Sequence, residues 1–310
     1  MPSPHYIILD LIRGLAISAI VGVHIAQALH SPLGAAFGLK NFYYVSWGGV
    51  GVTVFIILSG AVLELNYGNT SVNYWRFVKK RIFRIYPLYY MAFIIGLMGF
   101  LIRYVAGVID EPINFGIDDL VLSLTAMYAF AGEWGGPFLR SGWFIGVIVS
   151  LYFIYPLISK MMRNRDVLLL FLLFTLSCFC RYLFGHYKLL PGRPLDWFPF
   201  CRVFEFGLGI FLARRLPKNI LLFFNDKFRG LHPAIIFFSA LSYPVYLVHM
   251  PIIDVMVYAP YLGISAVIWV PLFLVLSFAC SVIFLKIDQL LAVSVRKKFS
   301  PDIVQFKEIL

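Results

Sequence analysis

Eight runs of mostly apolar residues, at roughly 7–29, 44–65, 82–107, 142–159, 167–184, 200–213, 233–258 and 263–285, dominate what this chain can fold into. About 20 such residues in a helix cross the ~30 Å hydrocarbon core of a bilayer, where each segment must satisfy its own backbone polar groups. A helix does so alone; an open strand does not. Composition agrees, with 61% apolar or aromatic residues, 13% charged and a mean hydropathy of +0.86. A soluble domain carries about a quarter charged residues and cannot hide this much apolar surface. The expectation is an all-α, polytopic integral membrane helix bundle of 8–10 transmembrane segments, forming a single domain over residues 1–310.

The net charge of +11 raises nucleic acid as a partner, but the placement of the charges argues against it. Lys and Arg gather between apolar runs, at Arg76-Lys79-Lys80-Arg81-Arg84, Lys160-Arg163-Arg165, Arg214-Arg215-Lys218 and Arg296-Lys297-Lys298. That is the positive-inside pattern, with membrane lipid rather than nucleic acid as the surrounding partner. Eight spans with the N-terminus inside put every cluster on the cytoplasmic face of a cell membrane. The acidic loop at 108–119 then faces outward, and both termini are cytoplasmic. The first apolar run is too long for a signal h-region and is expected to stay as the first span. Leu120–Phe130 and Ile220–Phe224 are too short to cross and are expected to be re-entrant or interfacial. The cysteines Cys178, Cys180, Cys201 and Cys280 lack ligand spacing and read as small buried residues. The histidines are dispersed, so no metal is expected.

Chemistry-bearing residues stand out where they interrupt these runs. Arg13 and His24 lie in the first run, eleven residues apart, which puts them on one helix face about 16 Å apart along the axis. Asp10, one turn before Arg13, can pair with it. Arg13 can also snorkel to the headgroups. His24 is deeper, and imidazole exchanges a proton near neutral pH, so it reads either as a catalytic group or as a hydrogen-bonded interhelical histidine. With no partner evident, its removal is expected to cost little stability. Arg81 and Arg84 share a face at the start of the third run, beside Lys80. Positive-inside anchoring accounts for the number of charges there; two guanidinium groups can instead clamp phosphates. A third cluster, Ser242, Tyr243, Tyr246 and His249, falls on about two turns of the seventh run.

Several of these residues fall into ordered signatures: Leu9-Asp10-Leu11-Ile12-Arg13-Gly14-Leu15-Ala16 followed by His24, Phe55 through Ser59-Gly60, Arg81-Ile82-Phe83-Arg84-Ile85-Tyr86-Pro87, Trp143 through Tyr152 and Pro156, and Ser242-Tyr243-Pro244-Val245-Tyr246-Leu247-Val248-His249. In this the chain resembles the acyltransferase 3 family of membrane O-acyltransferases. It departs from the family pattern at Ile148, where a Glu is usual, and in its count of spans. The resemblance implies transfer of an acyl group, usually acetyl, from cytoplasmic acyl-CoA to a hydroxyl of a glycan or lipid-linked envelope acceptor. It implies Arg81, Arg84 and Lys80 at the CoA phosphates and His24 with Arg13 as catalytic residues. His24 would be a general base or a transient acyl carrier, and Arg13 would orient the donor or offset developing charge. Trp143, Tyr152, Ser242, Tyr243, Tyr246 and His249 are the candidate substrate-binding residues. The rival reading is a transporter or flippase, whose intramembrane Arg and His line a substrate or proton path.

Overall fold

The computed structural model describes residues 5–31, 49–68, 73–107, 116–131, 136, 138–190, 192–257 and 264–299, with side chains to 291 in the last segment. The helices are α1 (Ile7–Ala28), α2 (Val50–Tyr67), α3 (Tyr74–Val105), the short α4 (Ile117–Thr125) and α5 (Tyr128–Ala131), α6 (Gly142–Tyr187), the single-turn α7 (Pro194–Trp197), α8 (Val203–Arg215), α9 (Lys218–Lys227), α10 (His232–Met256) and α11 (Ala266–Phe299). No strand occurs among the described residues. Six of these helices, α1, α2, α3, α6, α10 and α11, are long and apolar enough to cross a bilayer. Side chains such as Leu15, Phe171, Val267 and Val275 stay exposed on them, which suits a lipid surround and not water. The protein is an all-α, multi-pass membrane helix bundle.

Where the helices begin and end departs from the apolar runs for identifiable reasons. At 46 residues, α6 would reach about 69 Å, more than twice a hydrocarbon core. Its backbone leaves the helical region at Arg165 (φ −146°, ψ 55°), and the two halves correspond to the runs expected at 142–159 and 167–184. No extended loop separates them, because Lys160 to Arg163 are good helix formers and the chain turns at one residue. The third run was expected to start at 82, yet α3 starts at Tyr74, where the Asn73 side chain accepts a hydrogen bond from the Arg76 amide (3.0 Å). Arg76 through Arg84 are therefore helical and not in a loop. The run at 200–213 forms a 3-10 turn (Pro199–Arg202) and the 13-residue α8, and α11 continues well beyond 285.

The two short apolar segments do not cross. α4 has nine residues and ends at Ala126 in the left-handed region (φ 59°). Three α3 tyrosines donate to carbonyls of its last turn: Tyr86 to Thr125 (2.7 Å), Tyr90 to Leu124 (2.9 Å) and Tyr89 to Ser123. Those are the carbonyls a helix end leaves without partners. α9 meets the start of α1, where the Ile7 amide donates to Asn225 Oδ1 (2.9 Å) and Asn225 Nδ2 donates to the His5 carbonyl (2.6 Å). Residues 108–115 of the expected outward loop, and the Arg296–Lys298 side chains, lie outside what is described.

Basic groups from three elements converge at one end of the bundle. Arg81 donates to Tyr67 Oη (2.9 Å), Arg163 to the Gly68 carbonyl (2.9 Å), and Arg215 pairs with Asp166 (2.7 Å). Arg214 donates to the buried Glu64 carboxylate (2.7 Å), which also accepts from Ser159 (2.8 Å) and Tyr155 (3.2 Å). A carboxylate buried at the end of α2 is tolerable only because these three donors, one of them a cation, surround it.

α2 and α8 pack in backbone contact. A Cβ on Gly60 would collide with the Phe206 carbonyl oxygen, and one on Gly209 with that of Ile57. Small residues that let two backbones touch are how membrane helices associate when lipid removes the hydrophobic drive. Gly60 in the Phe55–Gly60 signature thus has a packing role.

Candidate active site

His24, in the last two turns of α1, meets His249 on α10. His24 Nδ1 is 2.9 Å from His249 Nε2. The ring centroids are 5.1 Å apart and the planes 16° from parallel, so the rings approach edge to edge, as a nitrogen–nitrogen hydrogen bond requires. His249 is fully buried, and its Nδ1 lies 3.0 Å from the Val245 carbonyl oxygen one turn back. His24 is half-buried and lines a cavity at the end of the bundle opposite the basic groups. The expectation that His24 is unpaired is therefore corrected. Deleting its ring would leave His249 Nε2 buried without a partner, at a cost of about 1–3 kcal/mol.

Seven elements furnish the cavity wall, α2 among them through Val52. Gln27 stands one turn beyond His24, Trp143 opens α6, and Tyr246 precedes His249 by one turn. Arg193, Asp196 and Trp197 come from α7 and its N-cap, Arg202 from the 3-10 turn, and Arg140 from the segment before α6. The Trp143 and Trp197 rings are 5.9 Å apart. Tyr246 donates to the Ser141 carbonyl (3.0 Å), which fixes it at 5.7 Å from the His249 ring. Each wall arginine has a carboxylate: Arg140 with Asp254, Arg193 with Asp196 (2.6 Å), and Arg202 with Glu205 (3.3 Å). Arg202 also donates to Thr53 Oγ1 (2.6 Å). Asp196 is buried and its Oδ1 has no hydrogen-bond partner among the described residues.

The other expected site residues divide between this cavity and the basic end. Arg13 donates to Asp10 (3.3 Å) and Ser239 (3.1 Å), and Ser239 in turn donates to Asp10 (2.6 Å). The Asp10–Arg13 pair is as expected from the spacing. Arg13 lies within electrostatic range of Arg84, as do Arg81, Tyr152 and Asp288. Arg84 is exposed, with groups of α1, α6 and α11 within electrostatic range. Arg81 lies over the rings of Tyr67 (5.2 Å), Phe77 (5.5 Å) and Tyr152 (5.8 Å). Lys80 is half-buried one helical turn from Arg84.

Tyr152 thus sits with Arg81 and away from His24. Ser242 donates to the Ser239 carbonyl (2.7 Å) within its own helix, and Tyr243 ties α10 to α3 through the Ile85 carbonyl (2.9 Å). Both are occupied in holding helices. Trp143, Tyr246 and His249 are the members of that set brought beside His24. Ile148, where the family pattern has Glu, is buried. Gln27, Arg140, Arg193, Asp196, Trp197 and Asp254 went unread in the sequence. The charge inside the apolar tail of α10 at Asp254 was a legible signal; the 188–202 segment offered none.

A family model described as an acyltransferase domain matches residues 6–222, well over half of the chain and including α1 through α8. The matched span contains Arg13, His24, Arg81, Arg84 and Trp143; Tyr246 and His249 lie beyond it. No curated protein and no solved structure matches. The chain belongs to the acyltransferase 3 family and is a membrane acyltransferase.

Proposed function

We propose that this acyltransferase moves an acyl group, acetyl in the first instance, from acyl-CoA to a hydroxyl of a carbohydrate or related envelope acceptor. The observation that carries the reading is His24, a titratable ring on the wall of a cavity bounded by Trp143, Trp197 and Tyr246 and by the hydrogen-bonding groups of Gln27, Arg193 and Asp196. Aromatic faces with planar polar groups around them suit a sugar, whose ring has apolar faces and a hydroxyl rim. His24 takes the acceptor hydroxyl's proton as that oxygen bonds to the acyl carbon and the carbon–sulfur bond breaks. The departing thiolate then recovers the proton, and His24 returns to its starting state. Base catalysis of this kind contributes about 10²–10⁴-fold. Arg140, held by Asp254 on the same wall, is placed to offset charge developing on the acyl oxygen.

Acyl-CoA supplies a thioester-activated acyl carbon. For its phosphates the fitting residues are Arg84, exposed at the basic end, with Arg81 and Lys80 beside it on α3. Two neighbouring guanidinium groups repel each other, and an anion between them removes that cost. Arg13, fixed by Asp10 and Ser239 within range of Arg84, serves this end by orienting the donor. Arg81→Ala or Arg84→Ala is expected to weaken CoA binding roughly ten- to a hundredfold, at about 1.5–3 kcal/mol each, with the protein still folded. Lys at either position should rescue only in part, because the planar fork is lost. Isothermal titration in detergent or nanodiscs measures this, and unchanged affinity in a folded double variant would return both residues to membrane anchoring.

In the cell membrane the basic end, with both termini, faces the cytoplasm, and the His24 cavity faces outward. In a cysteine-free background, Asp118→Cys in α4 should react with an impermeant maleimide added outside intact cells, and Lys79→Cys should not. The opposite pattern inverts the topology. The function itself is tested in a deletion strain, whose envelope glycans should lack an ester that the wild-type chain restores. An unchanged ester profile would remove glycans as the acceptor.

A further inference from the structure

We propose that His249 is a positioning residue: it holds His24 in the tautomer with hydrogen on Nδ1, leaving His24 Nε2 as the bare nitrogen that faces the acceptor. The reasoning runs outward from a backbone carbonyl. His249 Nδ1 lies 3.0 Å from the Val245 oxygen, and a carbonyl oxygen can only accept, so that nitrogen carries a hydrogen. In a neutral imidazole the other nitrogen is then a lone-pair acceptor. His249 Nε2 is 2.9 Å from His24 Nδ1, and two bare nitrogens would repel at that distance. The hydrogen between them therefore belongs to His24. For two neutral rings only one arrangement satisfies both distances, with donation running from His24 to His249 to Val245.

The surroundings hold this order in place. His249 is fully buried and has an aromatic neighbour, Tyr246, whose hydroxyl is committed to the Ser141 carbonyl. Arg140, the wall arginine within electrostatic range of both rings, is occupied by Asp254. His24 by contrast is half-buried and borders the cavity. When His24 Nε2 takes a proton, its Nδ1–H still donates to His249 Nε2, so the pair works through the cycle without rearrangement and no proton passes between the rings. The same logic orients catalytic histidines that lean on a fixed acceptor elsewhere. The catalytic consequence rests on the proposed acyl transfer; the tautomer does not.

Two substitutions and one spectrum test it. His249→Phe keeps an aromatic ring in the packing but offers no acceptor. His249→Gln can place an amide oxygen near the position of Nε2. His249→Phe is expected to lower kcat for acetyl transfer by about 10²–10⁴-fold, the scale of losing a histidine's orienting acceptor, with KM for the donor little changed. His249→Gln should recover at least tenfold of that loss. Full activity in His249→Phe would make His249 a packing residue, and equal inactivity of both variants would make its own ring a chemical participant; either overturns the proposal. Independently, ¹⁵N spectra of histidine-labelled protein in lipid, with His24 assigned by difference from His24→Gln, should show Nδ1 protonated and Nε2 bare. That preference should be lost in His249→Phe. A protonated Nε2 in the neutral wild-type ring refutes the pairing whatever the activity. The expected tautomer in a protein that transfers no acyl group would instead leave the pairing standing and refute the functional reading.

Discussion

A His24→Gln protein is expected to insert and fold but to lose acyl transfer by about 10²–10⁴-fold. Gln is the informative substitution because His24 is not an isolated polar group. Its Nδ1 bonds His249 Nε2 at 2.9 Å, and an amide nitrogen can still donate there. His24→Ala would combine lost chemistry with an unpaired buried nitrogen, and its result would be ambiguous. An amide cannot take up a proton near neutral pH, so Gln preserves the interhelical bond and removes the group proposed to take the proton. Substantial transfer by the Gln variant would make that bond the whole purpose of His24. Transfer by wild type should also fall as pH drops through the range in which His24 gains its proton, since only the neutral ring has a nitrogen to offer.

Replacing Gly60 or Gly209 with Leu is expected to have the largest effect on the fold. At each position the first added carbon already meets a carbonyl oxygen of the opposing helix, Phe206 or Ile57, and backbone cannot swing aside as a side chain can. Overpacking a core usually costs about 1–3 kcal/mol. Here α2 and α8 must separate, which also disturbs two ties at the ends of α8, Arg202 at its N-cap to Thr53 and Arg214 in its last turn to Glu64. The expected result is poor recovery of monodisperse protein and a markedly lower unfolding temperature in detergent. Gly22 makes a suitable control, because a Cβ there meets nothing. Wild-type stability in Gly60→Leu would mean that α2 and α8 do not touch as described.

How much of this was readable depended on contrast within a run. Arg13, His24 and Arg84 interrupt apolar stretches, and such interruptions are costly enough to mark function before any helix is placed. Helix ends were less readable. The basic residues preceding 82 look like a loop in a hydropathy window, but Asn73 caps a helix that includes them. The chain's reversal at Arg165 has no motif, since a single residue's dihedrals make it. Face-sharing within α1 was right in periodicity and incomplete in consequence: Arg13 and His24 point the same way but serve opposite ends of the bundle. His24 with His249 and Arg140 with Asp254 are separated by 225 and 114 residues, and one sequence carries no sign of such pairings. The cavity wall at Arg193, Asp196 and Trp197 depends on a short irregular segment whose place appears only once α6 and α8 are in position.

The most direct test of the account is transfer by the purified protein in liposomes, given acetyl-CoA labelled in the acetyl group and a mixture of envelope glycans on the cavity side. The account requires label to appear in the glycan fraction as an alkali-labile ester, in step with release of free CoA thiol, and to fall to background with His24→Gln. Label transfer undiminished in His24→Gln, or none from wild-type protein that binds CoA and retains its fold, would contradict it.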